Sequence, residues 1–95
     1  MITSKQRASL RAMANKIPAL YQVGKNGIDE TLLKTLSDAL EANELIKVHV
    51  LETAPDSAKA LCNEVAEALG AEPVQAIGGK FVLYRESENK KQIQL

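Results

Sequence analysis

Four consecutive residues, Gly24-Lys25-Asn26-Gly27, have the types and spacing to grip an anion. Glycines at both ends let the backbone come close to a ligand, where a Cβ would otherwise stand in the way. Lys25 adds a positive charge at the tip. The turn is expected to feed a helix, whose first unpaired amides and positive dipole end favour a phosphate. A Gly-x-x-Gly loop of this kind clamps the backbone of single-stranded RNA in KH-type modules. It is not a P-loop, which needs a longer loop ending in Gly-Lys-Ser/Thr. The motif is short, so its meaning depends on what surrounds it.

Other chemistry has little to work with. His49 is the single histidine, so a metal site would have to be built largely from carboxylates, and no His or Cys ligand spacing exists. Cys62, the single cysteine, falls on the apolar stripe of a helix and reads as a small buried hydrophobe rather than a nucleophile. The acidic pairs Asp29/Glu30 and Glu64/Glu67 sit at a helix start and on a solvated helix face, positions that explain them without catalysis. Neither an enzymatic activity, a metal nor a cofactor is expected.

Charge points instead to binding. The 95 residues carry 12 basic and 12 acidic side chains, but not evenly. Residues 1–25 hold Lys5, Arg7, Arg11, Lys16 and Lys25 with no acid at all; residues 26–79 hold three basic residues against ten acidic ones. Residues 80–95 are basic again, with Lys80, Arg85, Lys90 and Lys91 against Glu86 and Glu88. Such asymmetry suits an anionic partner at one pole and a repelling surface elsewhere. The plainer reading is that these charges solvate helix faces. The candidate phosphate contacts are Gly24, Lys25, Asn26 and Gly27 in the turn, Lys5, Arg7, Arg11 and Lys16 on the first helix, and Lys80 and Arg85 on the last strand. Tyr84 could stack on a base, but its place in an apolar strand reads as core.

The elements that must position these residues follow from local signals. One domain spanning 1–95 is expected, with a modest core of Leu, Ile, Val and Ala, because the aromatics are only Tyr21, Phe81 and Tyr84. Thr3-Ser4-Lys5-Gln6 is a capping box opening a helix over 4–16, with Leu10, Met13, Ala14 and Ile17 as its stripe and Pro18 as its stop. A strand over 19–23 enters the glycine turn. Asp29 caps a second helix over 30–43, faced by Leu32, Leu33, Leu36, Ala39 and Leu40. The stretch 45–51 alternates as a strand, with Ile46, Val48 and Val50 on one side and Lys47 and His49 on the other. Pro55 or Asp56 opens a third helix that Gly70 closes. Strands over 73–77 and 80–85 flank Gly78-Gly79, which fits a two-residue hairpin. The polar tail 86–95 reads as frayed, with Ile93 and Leu95 able to return to the sheet.

The resulting fold class is α/β, in the order α-β-α-β-α-β-β, with a four-stranded mixed sheet. The second and third helices share one face, and the other face is left partly open. No apolar run is long enough to span a bilayer, the N-terminus lacks the apolar region of a signal peptide, and one cysteine fits a reducing cytoplasm.

Three blocks in order resemble the CRM domain, whose name stands for chloroplast RNA splicing and ribosome maturation. They are Val23-Gly24-Lys25-Asn26-Gly27-Ile28, Leu45-Ile46-Lys47-Val48, and Ile77-Gly78-Gly79-Lys80-Phe81-Val82-Leu83-Tyr84-Arg85. The resemblance is to the stand-alone bacterial YhbY-type members and covers roughly 2–95, including the tail Lys91-Gln92-Ile93-Gln94-Leu95. It implies a two-layer fold similar to the C-terminal domain of translation initiation factor three, with the Gly24–Gly27 turn and neighbouring basic residues as RNA contacts. It also implies association with precursors of the large ribosomal subunit; the plant relatives act in group II intron splicing. The expected partners are ribosomal RNA and, because the near-neutral chain suggests modest intrinsic affinity, ribosomal proteins. The expected state is a cytoplasmic monomer. The competing expectation is a protein-interaction module that reaches pre-ribosomes through its acidic surface.

Overall fold

Each element of the structure, a computed structural model that describes residues 2–93, begins and ends on a local signal. Helix α1 (Ser4–Ala14) opens on a complete capping box: the Gln6 N–H donates to Thr3 Oγ1 at 3.1 Å and the Thr3 N–H to Gln6 Oε1 at 2.8 Å. It stops two residues before the expected end. The amides of Lys16 and Ile17 bond three residues back, to Met13 and Ala14, tightening the last turn ahead of Pro18. Strand β1 (Tyr21–Val23) leads into the glycine turn, and helix α2 (Glu30–Asn43) follows, capped by Asp29 as expected. Strand β2 (Leu45–Val50) comes next. Helix α3 (Ala58–Leu69) is capped by Ser57 rather than by Pro55 or Asp56, because the Ser57 hydroxyl accepts the Ala60 N–H at 3.2 Å. Gly70 ends α3 in the left-handed region, at φ 64°. Strands β3 (Glu72–Ile77) and β4 (Lys80–Tyr84) form a hairpin through Gly78-Gly79.

The sheet order is β1-β2-β4-β3. β1 and β2 are parallel, joined by α2; β4 is antiparallel to both β2 and β3. The crossover from β2 through α3 therefore skips one position, and the returning hairpin strand fills the gap. On edge strand β3, Pro73 has no N–H for the ladder, and the register shifts between Pro73 and Gln75. The shift turns Val74 towards α1 while Ala76 packs on the opposite face.

Helices α2 and α3 cover one face of the sheet, and Leu36, Leu40, Leu61 and Val65 meet Val23, Val48, Phe81 and Leu83 in the main core. Helix α1 lies on the other face, where Leu10 and Ala14 pack on Leu45, Val74, Val82 and Tyr84. These contacts sit at the end of the sheet where β2 begins and β4 finishes, so α1 covers only part of that face. The partly open face expected from the alternation of β2 is thus present. Tyr84 is buried, as its apolar strand implies, and burial together with the charges of Glu44 and Glu86 pushes its phenol pKa up.

The tail differs from expectation. Residues 87–93 are not frayed but bound to the end of α2 by two carboxylates. Glu44, fully buried and at φ 66°, accepts backbone N–H groups from Ser87 (2.8 Å), Gln92 and Ile93 (2.7 Å). Glu41 accepts the Ser87 hydroxyl (2.7 Å) and the amides of Glu88 (3.1 Å) and Asn89 (3.0 Å). Burial works against the Glu44 charge, but the three amides and the nearby Lys91 outweigh it, and its pKa lies below the usual carboxylate value. Hydrogen bonds from Glu88, Ser87 and Asn89 lower that of Glu41. Ile93 packs against the α1 cluster, while Leu95, the other residue expected to return, lies outside the described residues.

Candidate nucleic-acid interface

The turn is built from β1 outward. The Leu51 N–H donates to Val23 O at 2.9 Å, carrying the pairing of β1 and β2 to the edge of the turn, and the Gly27 N–H closes it onto Gly24 O at 3.0 Å. The two glycines are not equivalent. Gly27 is buried, has φ +66°, and a Cβ there would meet Pro55 Cγ at 2.9 Å. A Cβ at Gly24 would make only an ordinary 3.6 Å contact with Leu51 Cδ1. Gly27 therefore shapes the loop, while Gly24 has room for a Cβ. Between them, Lys25 and Asn26 are exposed at the tip. A cleft of about 500 Å³ runs beside the turn, bordered by Gln22, Thr31, Thr35 and Thr53.

The start of α2 is a different matter. Asp29 Oδ1 already accepts the Leu32 N–H at 2.7 Å, and Glu30 sits in the first helical turn. The positive end of this helix is thus occupied by the chain's own carboxylates, while Lys25 stands exposed at the turn tip.

Of the basic residues expected as contacts, the fold leaves Lys5, Arg11, Lys16 and Lys80 exposed and commits Arg7 and Arg85 to internal bonds. Lys5, Arg11 and Lys16 are exposed on or just after α1, which has no acidic residue. Arg7 is committed to docking α1: its Nε donates to Pro73 O at 3.2 Å and its Nη2 lies 3.8 Å from Glu72 Oε1. Lys80 starts β4 opposite His49, at the end of the sheet where β1 runs into the turn. Arg85 goes elsewhere. Its guanidinium is turned to the α2–α3 side, donating to Ser37 O (2.8 Å), Ser37 Oγ (3.1 Å) and Leu69 O (3.1 Å), so it joins helices rather than facing a partner. Among the described residues, none of Lys5, Arg11, Lys16, Lys25, Lys47 and Lys80 has a carboxylate within salt-bridge distance.

Cys62 is buried in the main core, and burial pushes its thiol up to about 11, far from a reactive thiolate. Among the described residues no three His, Cys, Asp or Glu side chains gather as metal ligands, and no helix is long and apolar enough to cross a membrane.

A mixed α/β domain with an acid-free first helix and a Gly-x-x-Gly turn between β1 and α2 has the features of a nucleic-acid-binding module. The family model of the CRS1/YhbY (CRM) domain matches residues 2–85, and the chain belongs to that family. It is 43% identical to the Bacillus subtilis protein named "Probable RNA-binding protein YqeI", over the whole of this chain and 99% of that one. It is 35% identical to a Haemophilus influenzae protein named "RNA-binding protein", over 95% of this chain and 91% of the other. The solution structure of SAV1595 from Staphylococcus aureus, 46% identical, superposes with a TM-score of 0.84 over all of this chain and 99% of that one.

Proposed function

We propose that this chain is an RNA-binding factor that docks ribosomal RNA of large-subunit precursors during assembly, without a chemical step of its own. The observation that carries the reading is positional. The turn closes the end of β1 with Lys25 exposed at its tip, the acid-free α1 and Lys80 stand on the sheet face away from α2 and α3, and Arg85 is turned to the α2–α3 side. The names of the relatives support RNA as the partner, and the resemblance to YhbY-type proteins supports a ribosomal target. The turn amides hold a phosphate, Lys25 adds charge to that seat, and Lys5, Arg11 and Lys16 extend it as a basic rail. The reading extends to a monomer and to the cytoplasm, the single unpaired thiol supporting the reducing compartment.

Lys25→Ala is expected to weaken binding by about 1 kcal/mol with little regard to sequence, and to make the salt dependence shallower by about one unit of slope. Filter binding of ribosomal RNA fragments across a salt series measures both, and unchanged affinity and slope would remove Lys25 from the interface. The acidic side favours one other reading. Glu30, Asp38, Glu64 and Glu67 are exposed on α2 and α3 and could meet basic ribosomal proteins. Sedimentation of cell extract with and without RNase separates the two: association that survives RNase supports the protein partner.

A further inference from the structure

The half of the sheet that α1 leaves bare has a composition of its own. The strand register sets Gln22, His49, Lys80 and Ile77 side by side across all four strands. One pleat further towards α1, Lys47 pairs with Val82 on the same face. At the usual spacing between strands, the first row spans roughly 14 Å. Neither row contains a carboxylate. The row opens at one side into the glycine turn, because Gln22 is two residues from Gly24 and borders the cleft beside it.

Three details separate this surface from an ordinary solvated sheet. Ile77 is 66% exposed at the end of β3, beside the exposed Gly78-Gly79 turn and Lys80, which places an aliphatic side chain at the rim. His49 is half-buried within the row, between Gln22 and Lys80. Beside it stands Gly79; a Cβ there would come within 3.2 Å of Val50 O and 3.8 Å of the imidazole. The glycine keeps that edge of the ring clear.

A partly buried ring, an aliphatic rim, amide and ammonium donors and no carboxylate suit a strand with unstacked bases and a charged backbone. A duplex hides its base faces and would touch only the cations. We propose that this bare half-sheet is a platform for an unpaired RNA segment. A base stacks on His49 and another lies against Ile77, phosphates meet Lys47 and Lys80, and the strand continues into the Gly24–Gly27 turn. The platform rests on the RNA-binding reading and gives it a substrate class.

The test uses the full chain and two probes, an unstructured RNA of about twelve nucleotides and a blunt RNA duplex of the same composition. Fluorescence anisotropy at fixed salt gives both affinities. His49→Ala combined with Ile77→Ser is expected to weaken single-strand binding roughly tenfold and duplex binding less than twofold. Lys25→Ala weakens both probes alike. His49→Tyr, which keeps a ring plane, is expected to retain single-strand affinity, and this controls for damage to the sheet. Unchanged single-strand binding by the double variant, alongside a loss with Lys25→Ala, overturns the platform and leaves the RNA-binding reading standing. Equal loss on both probes, or loss with His49→Tyr as large as with His49→Ala, overturns it too. Wild-type protein that binds neither probe overturns both readings together.

Discussion

The two faces of the sheet treat their polar groups in opposite ways. On the α2–α3 side, Arg85 and two carboxylates are spent internally. The Arg85 guanidinium ties Ser37 of α2 to the last carbonyl of α3, and Glu41 and Glu44 hold the tail through six hydrogen bonds. On the α1 side, among the described residues, Arg7 is used in this way, while Lys5, Arg11, Lys16 and Lys80 are exposed and Lys47 is half-buried. Net charge hides the contrast, since it is zero for the whole chain. The useful quantity is which charges the fold has already paired. A paired group stabilises the native state, and an unpaired group is available to a polyanion.

The contrast can be broken most severely at Glu44. Glu44→Ala leaves three backbone N–H groups of the tail without their acceptor and is expected to cost about 3 kcal/mol. Urea unfolding should register the loss while RNA affinity in folded protein stays the same. The same carboxylates set a pH dependence. The pKa values of Glu41 and Glu44 are lower folded than unfolded, so their contribution is present above the ordinary value of 4.5 and is lost as pH falls through the folded values. Stability should therefore drop on acidification below about pH 4.5, and Glu44→Gln should flatten that drop.

Within the turn the same division appears between two glycines. Gly27→Ala forces a Cβ into the left-handed region and onto Pro55, and is expected to destabilise by about 2 kcal/mol. Gly24→Ala should leave stability within about 0.5 kcal/mol and act on RNA affinity instead, by crowding the ligand side of the loop. Thermal unfolding paired with RNA binding separates them; equal loss of stability at both positions would dissolve the distinction.

The smallest and sharpest comparison sets two arginines side by side. Arg85→Ala should cost about 1.5 kcal/mol of stability, because Ser37 and Leu69 lose a charged donor, with RNA affinity unchanged. Arg11→Ala should do the reverse, with a stability change under about 0.5 kcal/mol and a measurable loss of RNA binding.

These arginines also mark where the sequence was readable. Element order, the caps Thr3 and Asp29, the stop at Gly70 and the hairpin at Gly78-Gly79 follow from signals a few residues long. The alternation of β2 put Lys47 and His49 off the core, and that is where they lie. Arg85 reads as a phosphate neutraliser because its partners are 16 and 48 residues away, beyond any local pattern. Glu44 looks like a solvated acid beyond a helix end, yet it is buried, because amides more than 40 residues later converge on it. Ser57 displaced Pro55 and Asp56 as cap because a hydroxyl one residue later had the better reach. The register shift at Pro73 had a local cause, the missing N–H, but its effect on Val74 depends on pairing with β4.

The central claim, that RNA meets the α1 side and the glycine turn, is tested most directly by crosslinking the native protein to precursor ribosomal RNA and mapping the attached residues. Crosslinks at 24–27, along the exposed side of α1 and at Lys80 are the expected result. Crosslinks confined to the outer surfaces of α2 and α3, or formed to proteins alone, would contradict it.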